Sequence, residues 1–188
     1  MNFKKTTNSI ENLDSFIDGA ETQKELSSKK GKESFGAKFS KELGVKIRKK
    51  YTTYTLAKFI ENSLVSQIPY IKDEVLVWIF DQAKWYNTSM SEFVKFKMGL
   101  IEAPQPNDEK IKEHMTNYII YISHENKELI RKIADNLGVS MATYSEIKLT
   151  ATYELKDIFT FDQIMQFRAE AMNFDLDLEE YIAMRIKG

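Results

Sequence analysis

Apolar residues recur at helical spacing along most of the chain beyond residue 38. Leu56, Phe59, Ile60 and Leu64 line one side of a helix predicted over residues 53–65. Similar stripes predict helices over residues 75–86, 125–137 and 163–174. Two short runs break this rhythm. Asn117-Tyr-Ile-Ile-Tyr-Ile-Ser123 and Lys156-Asp-Ile-Phe-Thr160 are β-prone and too short to be helices on their own, so each predicts a strand. Alternation in the first turns Asn117, Ile119 and Tyr121 outward and Tyr118, Ile120 and Ile122 inward. Residues 66–71 make a poorer strand, because Pro69 removes a ladder donor. Residues 46–50 admit two readings. If they are extended, Lys46, Arg48 and Lys50 share one face; if helical, Phe39, Leu43 and Ile47 form a stripe.

Residues 1–37 are rich in Lys, Ser, Thr, Asn, Glu and Gly, and read as a disordered tail. Ile10, Leu13 and Ile17 are a brief apolar interruption within it. Pro104 and Pro106 deny helix and mark a linker at residues 103–108. The expected organisation is a first unit over residues 38–102 and a second over residues 109–188.

Three segments align without a gap, starting at Ala83, Ala134 and Ala171. Four positions after each alanine comes a residue that tolerates positive φ: Asn87, Gly138 or Asp175. Two further on stands an N-cap type, Ser89, Ser140 or Asp177, followed by Met90, Met141 or Leu178. An aromatic comes next (Phe93, Tyr144, Tyr181), then a basic residue (Lys97, Lys148, Arg185). Ser89 with Glu92, and Asp177 with Glu180, have capping-box spacing. Each segment therefore reads as one helix ending, a tight turn, and a capped second helix.

A strand, a helix, a glycine-type turn and a serine-capped helix within about 40 residues resembles the ribbon-helix-helix family of DNA-binding proteins. The second copy carries the closest likeness, in Ala134-Asp-Asn-Leu-Gly-Val-Ser-Met-Ala-Thr. Residues 13–20 also resemble short leaders of plasmid partition and regulatory proteins of this kind. The resemblance implies a mainly helical chain of tandem units, in which strands from two units pair antiparallel and enter the major groove. It implies that the start of each second helix holds a phosphate, since exposed amides and the positive dipole end attract an anion. Copies two and three are expected to pair within one chain. On the outward strand face Asn117 and Tyr121 can bond base edges, and Ser140 starts the second helix. Asp175 and Asp177 would repel phosphate, making the third copy structural. Thr88, Ser89 and Ser91, with Lys84, Lys95 and Lys97 nearby, make the first copy the better phosphate site. Lys46, Arg48, Lys49 and Lys50 are the expected main source of affinity, as an arm or alternative ribbon.

Charge sharpens this picture. Residues 1–50 carry 12 Lys/Arg against 7 Asp/Glu, residues 51–100 carry 5 against 5, and residues 101–188 carry 10 against 16. A basic end suits a polyanionic partner, here double-stranded DNA. The acidic carboxy-terminal half, or the amino-terminal tail, suits a protein partner. At 43% hydrophobic residues the chain can form a sizeable core. With no cysteine, disulfides, thiolate metal sites and a cysteine nucleophile are excluded. His114 and His124 have no metal-ligand spacing and no phosphate-loop motif occurs, so neither metal, cofactor nor catalysis is expected. Trp78, Trp85, Phe93 and Phe96 recur at helical spacing and are expected in the core. The polar start leads into no apolar signal core, and no apolar run reaches the ~18 residues of a membrane span, so a cytoplasmic place is expected. The expected function is a DNA-binding repressor, plasmid partition protein or mobilisation accessory of a plasmid or phage, assembled as a homo-oligomer. The alternative is a protein-interaction module, such as an antitoxin or scaffold.

Overall fold

The computed structural model describes residues 31–52, 55–104 and 114–188. In chain order these form β1 (Lys32–Ser40), α1 (Lys41–Lys50), α2 (Leu56–Val65), α3 (Asp73–Trp85), α4 (Met90–Lys97), β2 (Met115–Ser123), α5 (His124–Asn136), α6 (Met141–Leu155), α7 (Phe161–Met172) and α8 (Leu178–Lys187). The two strands pair antiparallel, from Lys32 opposite Ser123 to Ser40 opposite Met115, with Gly36 opposite Ile119 at the centre. Each strand passes straight into a helix through a serine cap. Ser40 Oγ accepts from the Leu43 amide at 3.1 Å, and Ser123 Oγ from the Asn126 amide at 3.1 Å.

Strand and four helices thus occur twice. An offset of 83 residues carries Lys32 onto Met115 and Lys41 onto His124, growing to 88 where Met90 meets Leu178. The three aligned segments are therefore two kinds of element. Those at Ala83 and Ala171 are counterparts, joining α3 to α4 and α7 to α8, and no strand precedes either pair directly. The segment at Ala134 joins α5 to α6 behind β2, and its counterpart is the α1–α2 junction.

All three predicted hinges form as read. Asn87, Gly138 and Asp175 have φ of 52°, 68° and 56°. In each, the residue after the hinge donates its amide to the aligned alanine: Thr88 to Ala83 at 2.9 Å, Val139 to Ala134 at 3.0 Å, Leu176 to Ala171 at 3.2 Å. This Schellman closure satisfies carbonyls that the helix end leaves open. A Cβ at Gly138 would meet nothing within 4 Å, so Gly138→Ala isolates the cost of the backbone conformation. It should destabilise by about 1–2 kcal/mol and lower the thermal midpoint in a melting experiment.

Two apolar clusters hold the fold. Beneath the ribbon, Phe35, Ala37 and Phe39 of β1 and Ile120 and Ile122 of β2 pack on α1, α2, α5 and α6. The second cluster joins α3, α4, α7 and α8. Helix α6 serves both, giving Tyr144 and Leu149 to the first and Ile147, Ala151 and Leu155 to the second. It is buried on nearly every side, which is why no single apolar stripe marks it.

Several expectations are corrected. Residues 32–37, placed in the tail, form most of β1; residues 1–30 lie outside the described residues. Low β-propensity at Lys32, Gly36 and Ala37 hides this strand, and the β2 ladder supplies what propensity lacks. Residues 46–50 are helix, with Leu43 and Ile47 on its buried side. Helix α2 starts at Leu56 behind the Thr55 cap, later than expected, while Thr53 and Tyr54 lie outside the described residues. Residues 156–160 form no strand, because α6 runs to Leu155 and Thr160 caps α7. Residues 66–71 form only a bridge between Ile68 and Ile71. Copies two and three therefore do not pair; β2 takes β1 as its partner. Residues 105–113 of the linker region lie outside the described residues, and the ribbon core draws on both sides of it.

Candidate nucleic-acid interface

Alternation along the ribbon separates two faces. Phe35, Ala37, Phe39, Ile120 and Ile122 point into the core. Lys32, Ser34, Gly36, Asn117, Ile119 and Tyr121 are exposed on the other side, Ile119 at 67%. Asn117 and Tyr121 thus lie on the outward face, as alternation predicts. The β1 residues opposite them, Lys38 and Ser34, lie on a strand that local propensity does not mark. The signal that finds them is the apolar period of two at Phe35, Ala37 and Phe39, ending on a serine cap.

The ribbon's edge is tied to α6. Lys38 donates its amide to Ser145 Oγ at 2.9 Å, and its ammonium lies 3.6 Å from Glu146 Oε2. The Lys84 ammonium lies 2.7 Å from Glu146 Oε1. One buried carboxylate therefore gathers two lysines beside the outward face. At the other end, Glu33 accepts from Lys127 at 2.8 Å and meets His124 Nδ1 at 2.6 Å. The Lys127 hydrogen bond first, then that of His124, holds the Glu33 carboxyl below the usual range.

Lys46, Arg48, Lys49 and Lys50 are exposed on α1, along a helix and not an extended arm. The 83-residue offset that aligns the strands places Arg131 and Lys132 of α5 where α1 has Arg48 and Lys49. Both are exposed; Arg131 also bonds Glu128 at 2.9 Å. The Arg-Lys pair thus recurs once in each half. Lys50 also caps α6, its ammonium 3.5 Å from the Tyr153 carbonyl and over the Tyr51 and Tyr153 rings.

The helix starts differ in what they hold. Ser140 accepts from the Thr143 amide at 3.0 Å, and Thr55 from the Lys58 amide at 3.2 Å, as single-residue caps at related positions of the two halves. The start of α4 is occupied. Glu92 closes the capping box with Ser89 and bonds the Thr88 hydroxyl at 2.8 Å. Glu154 of α6 accepts from the Ser91 amide at 3.3 Å. The turn expected to hold phosphate through Thr88, Ser89 and Ser91 already holds two carboxylates of the chain itself. Sequence reading misses Glu154 because 63 residues separate it from Ser91.

Burial pushes the Glu154 carboxyl above its usual range, against the opposing pull of the Ser91 and Met90 amides. An acid raised in the folded state contributes stability that is full below its unfolded value, near 4.5, and is lost as pH rises through the folded value. Glu154→Gln should remove that dependence. Urea melts should then show the variant at least as stable as the parent at pH 7, with the gap closing towards pH 4.

Trp85, expected in the core, is 76% exposed and packs edge-on against Tyr86. As the last residue of α3 it falls off the stripe of Val75, Leu76, Ile79, Phe80 and Ala83. Among the described residues no group of three or more His, Asp or Glu could hold a metal ion, and no helix is long and apolar enough to cross a membrane. Set against known proteins, the chain matches no family profile, no curated protein and no solved structure.

Proposed function

We propose that the chain is a DNA-binding protein of the ribbon-helix-helix kind, a repressor, partition protein or mobilisation accessory acting in the cytoplasm without catalysis. The observation that carries this reading is the β1–β2 ribbon. Its strands pair antiparallel, each leads into two helices, one face is core, and the other sets Lys32, Ser34, Lys38, Asn117 and Tyr121 around an exposed Ile119. A B-DNA major groove about 12 Å wide admits a two-stranded ribbon. Lys32, Ser34, Lys38, Asn117 and Tyr121 supply donors for base edges there. Arg48 and Lys49 on one side, and Arg131 and Lys132 on the other, supply charge for the phosphates. The starts of α2 and α6, with Thr55 and Ser140, present amides to the same backbone. The start of α4 has no part in this, since Glu92 and Glu154 fill it. Because the ribbon closes within one chain, a second copy is not needed to form it.

One observation favours a protein partner as well. Phe161, Met165 and Met172 are exposed along α7, with Phe174 just beyond, in the acidic half of the chain. Scattered exposed apolar residues are normal, whereas a row along one helix suits a contact surface.

A gel-shift series with duplex fragments from upstream of the protein's own coding region, at two salt concentrations, separates these readings. DNA binding predicts retention at about 50 mM salt that weakens by roughly a thousandfold at 200 mM for six contacts. Absence of retention at the lower salt overturns the DNA reading and leaves the α7 surface as the site of function.

A further inference from the structure

We infer that one chain reads a non-palindromic duplex site, a conclusion that rests on the DNA-binding reading above. In the ribbon, Gly36 pairs with Ile119, and the 83-residue offset equates the same two residues. Strands related by a twofold axis meet in this way, with the axis through the central pair. The axis also relates Ser34 to Asn117 and Lys38 to Tyr121. A ribbon of two identical strands would offer the same side chain at both members of each pair, and would read a palindrome. Here no outward pair matches.

The differences are chemical as well as nominal. Lysine donates to guanine O6 and N7, whereas asparagine pairs bidentately with adenine N6 and N7. Lys38 and Asn117 sit directly opposite each other in the ladder, so these preferences fall together on one side of the axis. Ser34 and Tyr121 sit opposite each other on the other side, where hydroxyls without charge read less selectively. At the axis, Ile119 stands 67% exposed while Gly36 presents no side chain, and a Cβ there would meet nothing within 4 Å. An exposed branched apolar group at the centre of a groove-facing strand suits a thymine methyl. Of the two strands, only β2 offers it.

Selection from a random duplex pool with the full chain, together with the mass of the chain–duplex complex, tests this. The expected result is an enriched motif with no dyad, bound by one ribbon per duplex, with guanine or adenine on one flank and thymine at the centre. Ile119→Ala, an exposed change that leaves the core intact, should relax the central preference by about tenfold and leave the flanks unchanged. A dyad-symmetric motif, or retention without any enriched motif, overturns this inference alone. Failure to retain any duplex at low salt overturns the DNA-binding reading with it.

Discussion

Replacing Asp73 with alanine is expected to destabilise the fold by about 3–5 kcal/mol, as removal of one partner from a buried ion pair does. Lys148 is 1% exposed, and its ammonium lies 2.5 Å from Asp73 Oδ1. The Tyr144 hydroxyl lies 3.3 Å from Asp73 Oδ2 and 3.3 Å from the Leu64 carbonyl. Burial first, then the Asp73 carboxylate, raises the Tyr144 phenol, so it remains protonated and donates. Without Asp73 the ammonium stays in α6, the helix shared by both cores, with no counter-charge. Asp73 keeps 26% of its side chain exposed, so water can partly replace it, which favours the lower end of the range. Urea denaturation checks this. A second variant removes ambiguity: Asp73→Ala combined with Lys148→Met leaves no buried charge and should recover most of the loss. A single variant within about 1 kcal/mol of the parent would show that the pair is not a buried constraint.

The second large effect is on binding. Replacing Lys46, Arg48, Lys49 and Lys50 together with alanine should weaken duplex binding by roughly 10²–10³-fold near physiological salt, if each meets a phosphate. The dependence of log affinity on log salt should lose up to about 3.6 of its slope, near 0.9 per contact. These side chains are exposed, so stability should change little, apart from the Lys50 contact with the Tyr153 carbonyl. Melting and anisotropy titrations on the same samples separate the two effects. An unchanged slope would place the phosphate contacts elsewhere, and Arg131 with Lys132 would be next to replace. DNA binding and its salt slope unchanged in this variant, with a protein partner still bound, would favour the α7 surface.

The parts of the fold that sequence conveys are the local ones. Hinges at Asn87, Gly138 and Asp175, their caps, and the outward set of β2 depend on residues within a few positions of each other. What it conceals is long-range. The period that matters is 83 to 88 residues, and reading three hinges as one repeat merges strand-bearing helix pairs with strandless ones. Residues 51–55, between α1 and α2, include no glycine, so the first strand-bearing unit carries no such marker in its sequence. Pairing of β1 with β2 brings Lys38 opposite Asn117 across 79 positions, and no local pattern encodes a partner so distant. Glu154 at the start of α4 is hidden for the same reason.

The most direct test is to follow the amide resonances of the ribbon while duplex DNA is added at low salt. The amides of Ser34, Gly36, Lys38, Asn117, Ile119 and Tyr121 are expected to shift most, with smaller shifts at Arg48, Lys49, Arg131 and Lys132. Bound DNA that leaves these ribbon amides unmoved, with shifts confined to α7 and α8, would contradict recognition through the ribbon.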